Sequence, residues 1–264
     1  MTEYLSEFSS GQVVVDEKSV QKAINSLDRL DVIVYDAFHW KDGKENTSGK
    51  LYPKKIFEKS SEHLVIFCEL DLNGTKCDVI VKYKLIMNGR QAYVQNMTKD
   101  HCDSIIKNYN LLSKYLKVMK SENIDVVSVL ILRCKQGGFF VFGGSYINLW
   151  VEKQLNFVKF WAFNGETKDE QMANTSEPEL KKLQKFIYIL TSKQFTICDL
   201  QGENENGKFT LCDIEYTNTL GKLGWKNQLI EEYAKTSERE EKEEKEKEEK
   251  EKEEKKRQSI CILV

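Results

Sequence analysis

Phe195-Thr-Ile-Cys-Asp199-Leu-Gln-Gly-Glu-Asn-Glu-Asn-Gly-Lys-Phe-Thr-Leu-Cys-Asp213 is the stretch on which the reading of this chain turns. Two strand-like runs, Phe195 to Asp199 and Phe209 to Asp213, end in nearly the same residues, and Asn204-Glu205-Asn206-Gly207 between them has the composition of a turn. A hairpin over Leu200 to Cys212 then brings Asp199 and Asp213 together at its open end. Cross-strand neighbours there stand about 5 Å apart, so two ionised carboxylates repel each other unless a cation or an uneven sharing of protons intervenes. Magnesium is the economical cation, because hard oxygen donors completed by substrate phosphates are how phosphoryl-transfer sites hold it. Taken singly, an aspartate after a strand is more commonly a turn former or helix cap.

Toward the amino terminus, Leu64 to Leu72 and Lys76 to Met87 flank Asn73-Gly74, the dipeptide best suited to the positive φ angles of a two-residue hairpin turn. In the second strand Val79, Val81, Tyr83 and Leu85 share one face and Ile80, Lys82 and Lys84 the other, so Lys82 points away from the more apolar side. Residues 99 to 120 carry Ile105, Ile106, Tyr109, Leu112, Leu116 and Met119 at helical spacing, which predicts an amphipathic helix packed on that hairpin. Val126 to Cys134, Phe139 to Phe142 and Tyr146 to Val151 read as short strands separated by glycine turns, and Pro178 opens a helix through Leu190. Residues 1–60 alternate helix-like and strand-like pieces, such as Ser19 to Leu30 and Asp31 to Tyr35, and show no chemistry of their own.

Asp199-Leu200-Gln201-Gly202, followed by a strand ending in Asp213, resembles the catalytic segment of the alpha-kinase family of protein kinases. Four further stretches match in chain order. Val79-Ile80-Val81-Lys82 is similar to the strand that bears the family's nucleotide lysine, and Val151-Glu152 to its hinge beside adenine. Phe157-Val158-Lys159-Phe160 with Asn164-Gly165 resembles the stretch F-x-K-[FY]-N before N-x-G, and Asn218-Thr219-Leu220-Gly221-Lys222-Leu223-Gly224 its carboxy-terminal glycine-rich loop. The resemblance implies a two-lobed α+β fold of the protein-kinase type, with ATP and a protein substrate as partners and Mg2+ as cofactor. By the same resemblance Lys82 holds the ATP phosphates, Glu152 lies at the adenine edge, Gly221 and Gly224 belong to the nucleotide site, Asp199 orients or deprotonates the acceptor hydroxyl, and Gln201 and Asp213 hold magnesium. The implied activity is transfer of the γ-phosphoryl group of ATP to serine or threonine. The alternatives are a catalytically weak or inactive pseudokinase scaffold with the same fold, and an ATP-dependent transferase acting on a small molecule.

One departure stands out. Members of the family carry a structural zinc bound by a histidine before D-L-Q-G and an H-x-C-x-x-x-C cluster near the carboxy end. Here the histidines are His39, His63 and His101, and Trp225-Lys-Asn-Gln-Leu-Ile-Glu-Glu follows Gly224 with neither histidine nor cysteine. The expectation is a zinc-free variant whose carboxy-terminal part is held by apolar packing, with Trp225 and Leu229 as candidates.

Residues 238–257 are all charged, eleven acidic and nine basic. Pairs such as Glu241 with Lys245, Glu246 with Lys250 and Glu248 with Lys252 favour a solvated single helix, and no apolar seam supports a coiled coil. Cys261-Ile262-Leu263-Val264 fits the C-a-a-X prenylation signal, with Lys255-Lys256-Arg257 just upstream. Domain organisation is accordingly read as an amino-terminal segment of the first lobe over 1–60, a catalytic domain over 61–235, a charged tail over 236–260 and the C-a-a-X motif over 261–264.

Composition bounds the rest. A chain of 264 residues with 40% hydrophobic content is long enough for a core of ordinary size. Its net charge of −2 gives no general attraction to nucleic acid. Cys68, Cys77, Cys102, Cys134, Cys198, Cys212 and Cys261 stand singly with no C-x-x-C pair, which reads as reduced cytosolic thiols. Met1-Thr-Glu-Tyr-Leu-Ser-Glu7 has neither a basic start nor an apolar run, and Thr2 stands where myristoylation needs glycine. The expected location is the cytoplasm, with the cytoplasmic face of a membrane as the place to which a prenyl group would bring it.

Overall fold

The computed structural model describes residues 13–14, 16–26, 28–43, 47–59, 63–88, 91–134, 147–217 and 227–261. In chain order these form β1 (Val13–Val14), α1 (Glu17–Ser26), β2 (Leu30–Tyr35), α2 (Ala37–Asp42), β3 (Thr47–Lys59), β4 (His63–Leu72), β5 (Thr75–Asn88), β6 (Gln91–Gln95), α3 (Lys99–Met119), β7 (Ile124–Val126), β8 (Val129–Cys134) and β9 (Ile147–Lys153). Then follow β10 (Val158–Lys159), α4 (Lys168–Ala173), α5 (Pro178–Leu190), β11 (Ile197–Cys198), β12 (Gln201–Glu205), β13 (Lys208–Cys212), β14 (Glu215–Tyr216) and α6 (Asn227–Cys261).

Asn73 and Gly74 turn the chain between β4 and β5 with φ of 53° and 85°, the pair of left-handed residues that a two-residue hairpin requires. Every residue of β4 then has an antiparallel partner on β5, from His63 with Lys84 to Leu72 with Thr75. The sheet runs β1-β6-β5-β4-β3-β2-β8-β9, and β5 also pairs with β9. That last pairing, Val79 to Lys82 against Lys153 to Trp150, closes β4, β3, β2, β8, β9 and β5 into a ring with no free edge among those strands. The period of two now has a destination. Val79, Val81, Tyr83 and Leu85 point into the ring with Leu64, Ile66, Leu70, Leu132, Leu149 and Val151, and the alternate residues of β5 point outward.

The second lobe is built on a smaller sheet, β10-β12-β13-β7, with the two-stranded β11–β14 ribbon beside α5. Helix α3 is the wall between the lobes. Its buried face, Ile105, Ile106, Tyr109, Leu112 and Leu116, packs with Ile131 and Trp150 of the first lobe and with Leu180, Leu183, Leu200, Phe209 and Leu211 of the second. Thr98 caps its start by accepting the His101 amide, and Lys120 ends it in a left-handed conformation. The periodicity therefore located the helix, but its partners are chiefly β7, β8 and α5 and not the β4–β5 hairpin. The reason is that the hairpin's apolar face is already spent inside the ring.

A second correction concerns Val126 to Cys134, which is not one strand. Ile124 to Val126 pairs in parallel with β13 of the second lobe, while Val129 to Cys134 lies between β2 and β9 in the first. The chain thus changes lobes at Val127 and Ser128. The strand expected at Phe139 to Phe142 and residue Tyr146 lie outside the described residues. Among those described, no helix is long and apolar enough to cross a membrane.

The expected carboxy-terminal helix is α6. Its start is held by Leu229 and Tyr233, buried against Ala173, Tyr188 and Cys198, while Trp225 lies outside the described residues. Farther along, Thr236 accepts a hydrogen bond from the Asn174 side chain at 3.3 Å, and Lys181 pairs with Glu240 at 2.9 Å. From Glu243 the described side chains are exposed.

Candidate functional site

Strand β5 changes partner at Lys82: up to that residue it pairs with β9, and from Lys84 onward with β6. Alternation sends Lys82 outward to the side where the second lobe sits. There it is only 7% exposed. Its Nζ stands 3.1 Å from Glu152 Oε2 and 3.0 Å from Asp213 Oδ1, and 4.0 Å from the centre of the Trp150 ring. Burial alone would lower the lysine's pKa, but the carboxylates of Asp213 and Glu152 outweigh it and hold Lys82 above the ordinary lysine value, fully charged. Glu152 is 2% exposed. Burial pushes its carboxyl above the usual carboxylate range, against the opposing pull of Lys82.

Glu152 does more than meet the ammonium. Its Oε1 accepts the Asp213 backbone N–H at 3.2 Å, and the same N–H lies 2.8 Å from the Tyr109 hydroxyl oxygen. Three elements, β9, α3 and the end of β13, therefore converge on the main chain at Asp213. The Asp213 side chain remains about a third exposed, at 32%.

The second hairpin forms as its turn composition suggests. Asn206 and Gly207 turn with φ of 55° and 84°, and Gln201 to Glu205 pairs with Cys212 to Lys208. Asp199 and Asp213 flank its open end, both left-handed with φ of 49° and 53°. That region admits aspartate more readily than most side chains, so residue type matters for the backbone as well as for the charge. Gly202 has φ of 152°, and a Cβ there would run into the Thr210 carbonyl oxygen on the paired strand. The glycine of D-L-Q-G is thus a packing requirement that brings β12 close to β13. Asp199 is 8% exposed. Its N–H donates to the Met172 carbonyl at 2.8 Å, and its Oδ1 accepts the Trp161 Nε1–H at 2.8 Å.

Lys82, Glu152 and Asp213 are thus in direct contact, while Gln201 opens the hairpin that Asp199 and Asp213 flank. Glu152, expected at the adenine edge, has its carboxylate turned inward onto Lys82. Gly221 and Gly224 lie outside the described residues, and Cys261 is the last residue of α6. Sequence reasoning passed over Tyr109, Trp150, Trp161 and His63. Tyr109 sat in the helical stripe and looked like core, and Trp161 directly follows the quoted Phe157 to Phe160 stretch. His63 pairs across the strands with Lys84, and its ring stands edge-on to Trp150 at 5.7 Å. Burial, with Lys84 and Lys82 nearby, pushes the His63 pKa down to about 3, so it is neutral at physiological pH.

A metal fits this cluster by its donor chemistry. The Asp213 carboxylate and the Gln201 amide oxygen are hard donors on adjoining rungs of one hairpin, and one ammonium against the two carboxylates Glu152 and Asp213 leaves an excess of negative charge. Among the described residues no group of three or more His, Cys, Asp or Glu is placed to hold an ion.

The alpha-kinase family model matches residues 58–238. The chain belongs to the alpha-kinase family. An alpha kinase from Entamoeba histolytica has a similar structure, with TM-score 0.50 and 15% identity over 78% of this chain and 86% of that one. So do a mutant of the myosin heavy chain kinase A catalytic domain, at 0.50 and 15% over 80% and 93%, and a phosphorylated-aspartate form of the alpha-kinase domain of myosin-II heavy chain kinase A, at 0.50 and 16% over 79% and 92%. At such identities the likeness bears on the fold, which is the two-lobed α+β fold of alpha-kinases. No curated protein matches the sequence.

Proposed function

We propose that this alpha-kinase domain transfers the γ-phosphoryl group of ATP to serine or threonine residues of a protein. The observation that carries the reading is the buried contact of Lys82 with Glu152 and Asp213, at 3.1 and 3.0 Å, at the open end of the hairpin that begins at Gln201 and that Asp199 precedes. Phosphoryl transfer is catalysed mainly by positioning and by neutralising charge on the transferred group, and each of these residues has a part in that. Lys82, held charged and oriented by Glu152, receives the ATP phosphates. Asp199 orients the acceptor hydroxyl and takes its proton as the new O–P bond forms, while the bond from the γ-phosphorus to the β,γ-bridging oxygen breaks and its electron pair leaves with ADP. Gln201 and Asp213 would hold Mg2+, which supplies neutralising charge beside the phosphates when bound. The apolar seat of Leu229 and Tyr233 supports a carboxy-terminal part that stands without zinc.

The test is transfer of label from ATP to a protein acceptor in the presence of magnesium, with Asp199→Asn and Asp213→Asn as controls. Loss of transfer in both folded variants is the expected result. A wild type that binds nucleotide but transfers nothing would favour the scaffold reading instead. Membrane attachment through Cys261 is a separate part of the proposal and applies where Val264 is the carboxyl terminus. Its support is the sequence alone, and the intact mass of protein made in eukaryotic cells, compared with Cys261→Ser, tests it.

A further inference from the structure

The segment after β10 is held on both sides of one tryptophan, before it by the D-L-Q-G stretch and after it by α4 and the residue that follows α4. Val158 pairs with Gly202 and Lys159 with Gln201, and the Phe160 N–H donates to the Leu200 carbonyl at 2.8 Å. The Phe160 side chain is buried, edge-on to Phe209 at 5.3 Å. On the other side the Ala162 N–H lies 3.1 Å from the carbonyl oxygens of both Gln171 and Asn174. Between these anchors stands Trp161, whose indole N–H meets Asp199 Oδ1 at 2.8 Å and whose ring has Lys159 Nζ 4.2 Å from its centre.

The backbone at Asp199 is fixed independently, by its left-handed φ of 49° and by its N–H on the Met172 carbonyl. The terminal torsion of a carboxylate side chain is broad and roughly two-fold by itself. A rigidly seated N–H donor removes that freedom by holding one of the two oxygens. We propose that Trp161 is a positioning residue: by holding Oδ1 of Asp199 it aims the carboxylate at the acceptor hydroxyl, with Lys159 steadying the indole from its ring. The inference rests on the proposed role of Asp199. A site held to within a few tenths of an ångström by such supporting contacts is what positioning catalysis demands.

The experiment compares wild type, Trp161→Phe, Trp161→His and Asp199→Asn in steady-state transfer from MgATP to one protein acceptor, with binding of a non-hydrolysable ATP analogue measured alongside. Trp161→Phe keeps an aromatic ring for Lys159 and loses the donor. Its kcat is expected to fall about tenfold to a hundredfold, the scale of a hydrogen bond to a charged group, with the KM for MgATP and the analogue's Kd within about twofold of wild type. Trp161→His, which retains a ring N–H, is expected to recover part of the loss. A Trp161→Phe protein with wild-type kcat, or one whose loss lies in nucleotide affinity or stability alone, overturns the positioning role while Asp199→Asn remains inactive. Full activity in Asp199→Asn, or none in the wild type, instead overturns the function on which the inference stands.

Discussion

Replacing Lys82 with methionine should destabilise the protein before it informs about catalysis, and the size of that effect follows from the burial of its partner. The Glu152 side chain is 2% exposed and that of Lys82 8%. Removing one member of a buried ion pair leaves an uncompensated charge, a loss of about 3–5 kcal/mol. Glu152 can escape part of that cost by binding a proton, because burial already raises its pKa and Lys82 is the main influence opposing the rise. The sign follows from linkage. A carboxyl whose folded pKa lies above its unfolded value binds more protons when folded, so the variant's stability is full below the unfolded pKa, near 4.5, and is lost as pH rises. Urea unfolding should therefore show Lys82→Met destabilised by about 3–5 kcal/mol near pH 8, with a smaller difference from wild type near pH 5. Adding Glu152→Gln removes the stranded charge and should restore most of the stability, while phosphoryl transfer stays lost in the double variant. A loss under about 1 kcal/mol near pH 8, or no recovery from the second substitution, would refute the idea that Glu152 depends on Lys82.

His63 should impose an opposite pH dependence on the wild type. Its folded pKa of about 3 lies below the ordinary 6.5, so the unfolded chain binds the proton first and stability falls as pH drops below 6.5; near pH 5 the loss is at most about 2 kcal/mol, and His63→Gln should flatten the curve. Gly202→Ala should destabilise by at least about 2 kcal/mol, read by urea unfolding, because its Cβ meets the Thr210 carbonyl; an unchanged midpoint would mean that β12 and β13 are farther apart. Leu229→Ala, at a residue 2% exposed, should cost about 2–4 kcal/mol and increase amide exchange at the start of α6, whereas an equivalent change at the exposed Glu246 should do neither.

The two hairpins were legible because a residue pair announces each turn. Asn73-Gly74 and Asn206-Gly207 state where the chain reverses, and counting outward then sets which residues meet. By the same counting Asp199 and Asp213 could be brought to one end of a hairpin. The contact of Glu152 with Lys82 could not be read this way, since it exists only because β5 and β9, widely separated in sequence, close the ring. An amphipathic stripe such as that of α3 shows that a neighbour exists and leaves open which one. The change of lobe at Val127 and Ser128 interrupts a run of Val, Ile and Leu with no glycine or proline to mark it, so local propensity continued through a break that tertiary pairing imposes. Trp161 was illegible for a related reason, because its role depends on the alignment of two short strands and not on its immediate neighbours.

The charged half of α6 has a mechanical consequence. Among the described side chains the helix is clamped near its start, through Leu229, Tyr233, Thr236, Arg239 and Glu240, and the turns from Glu241 to Cys261 extend beyond that clamp by about 30 Å at about 1.5 Å per residue. It is therefore a lever whose fulcrum is the α4–α5 surface. A tilt of about 10° at the clamp sweeps its far end through about 5 Å over that length, so rearrangements of the second lobe too small to follow directly are magnified into a distance that paired spin or fluorescent labels resolve. The charged turns need no partner to act this way; they need only remain helical, which ties the lever's stiffness to ionic strength through pairs such as Glu248 with Lys252, 3.4 Å apart.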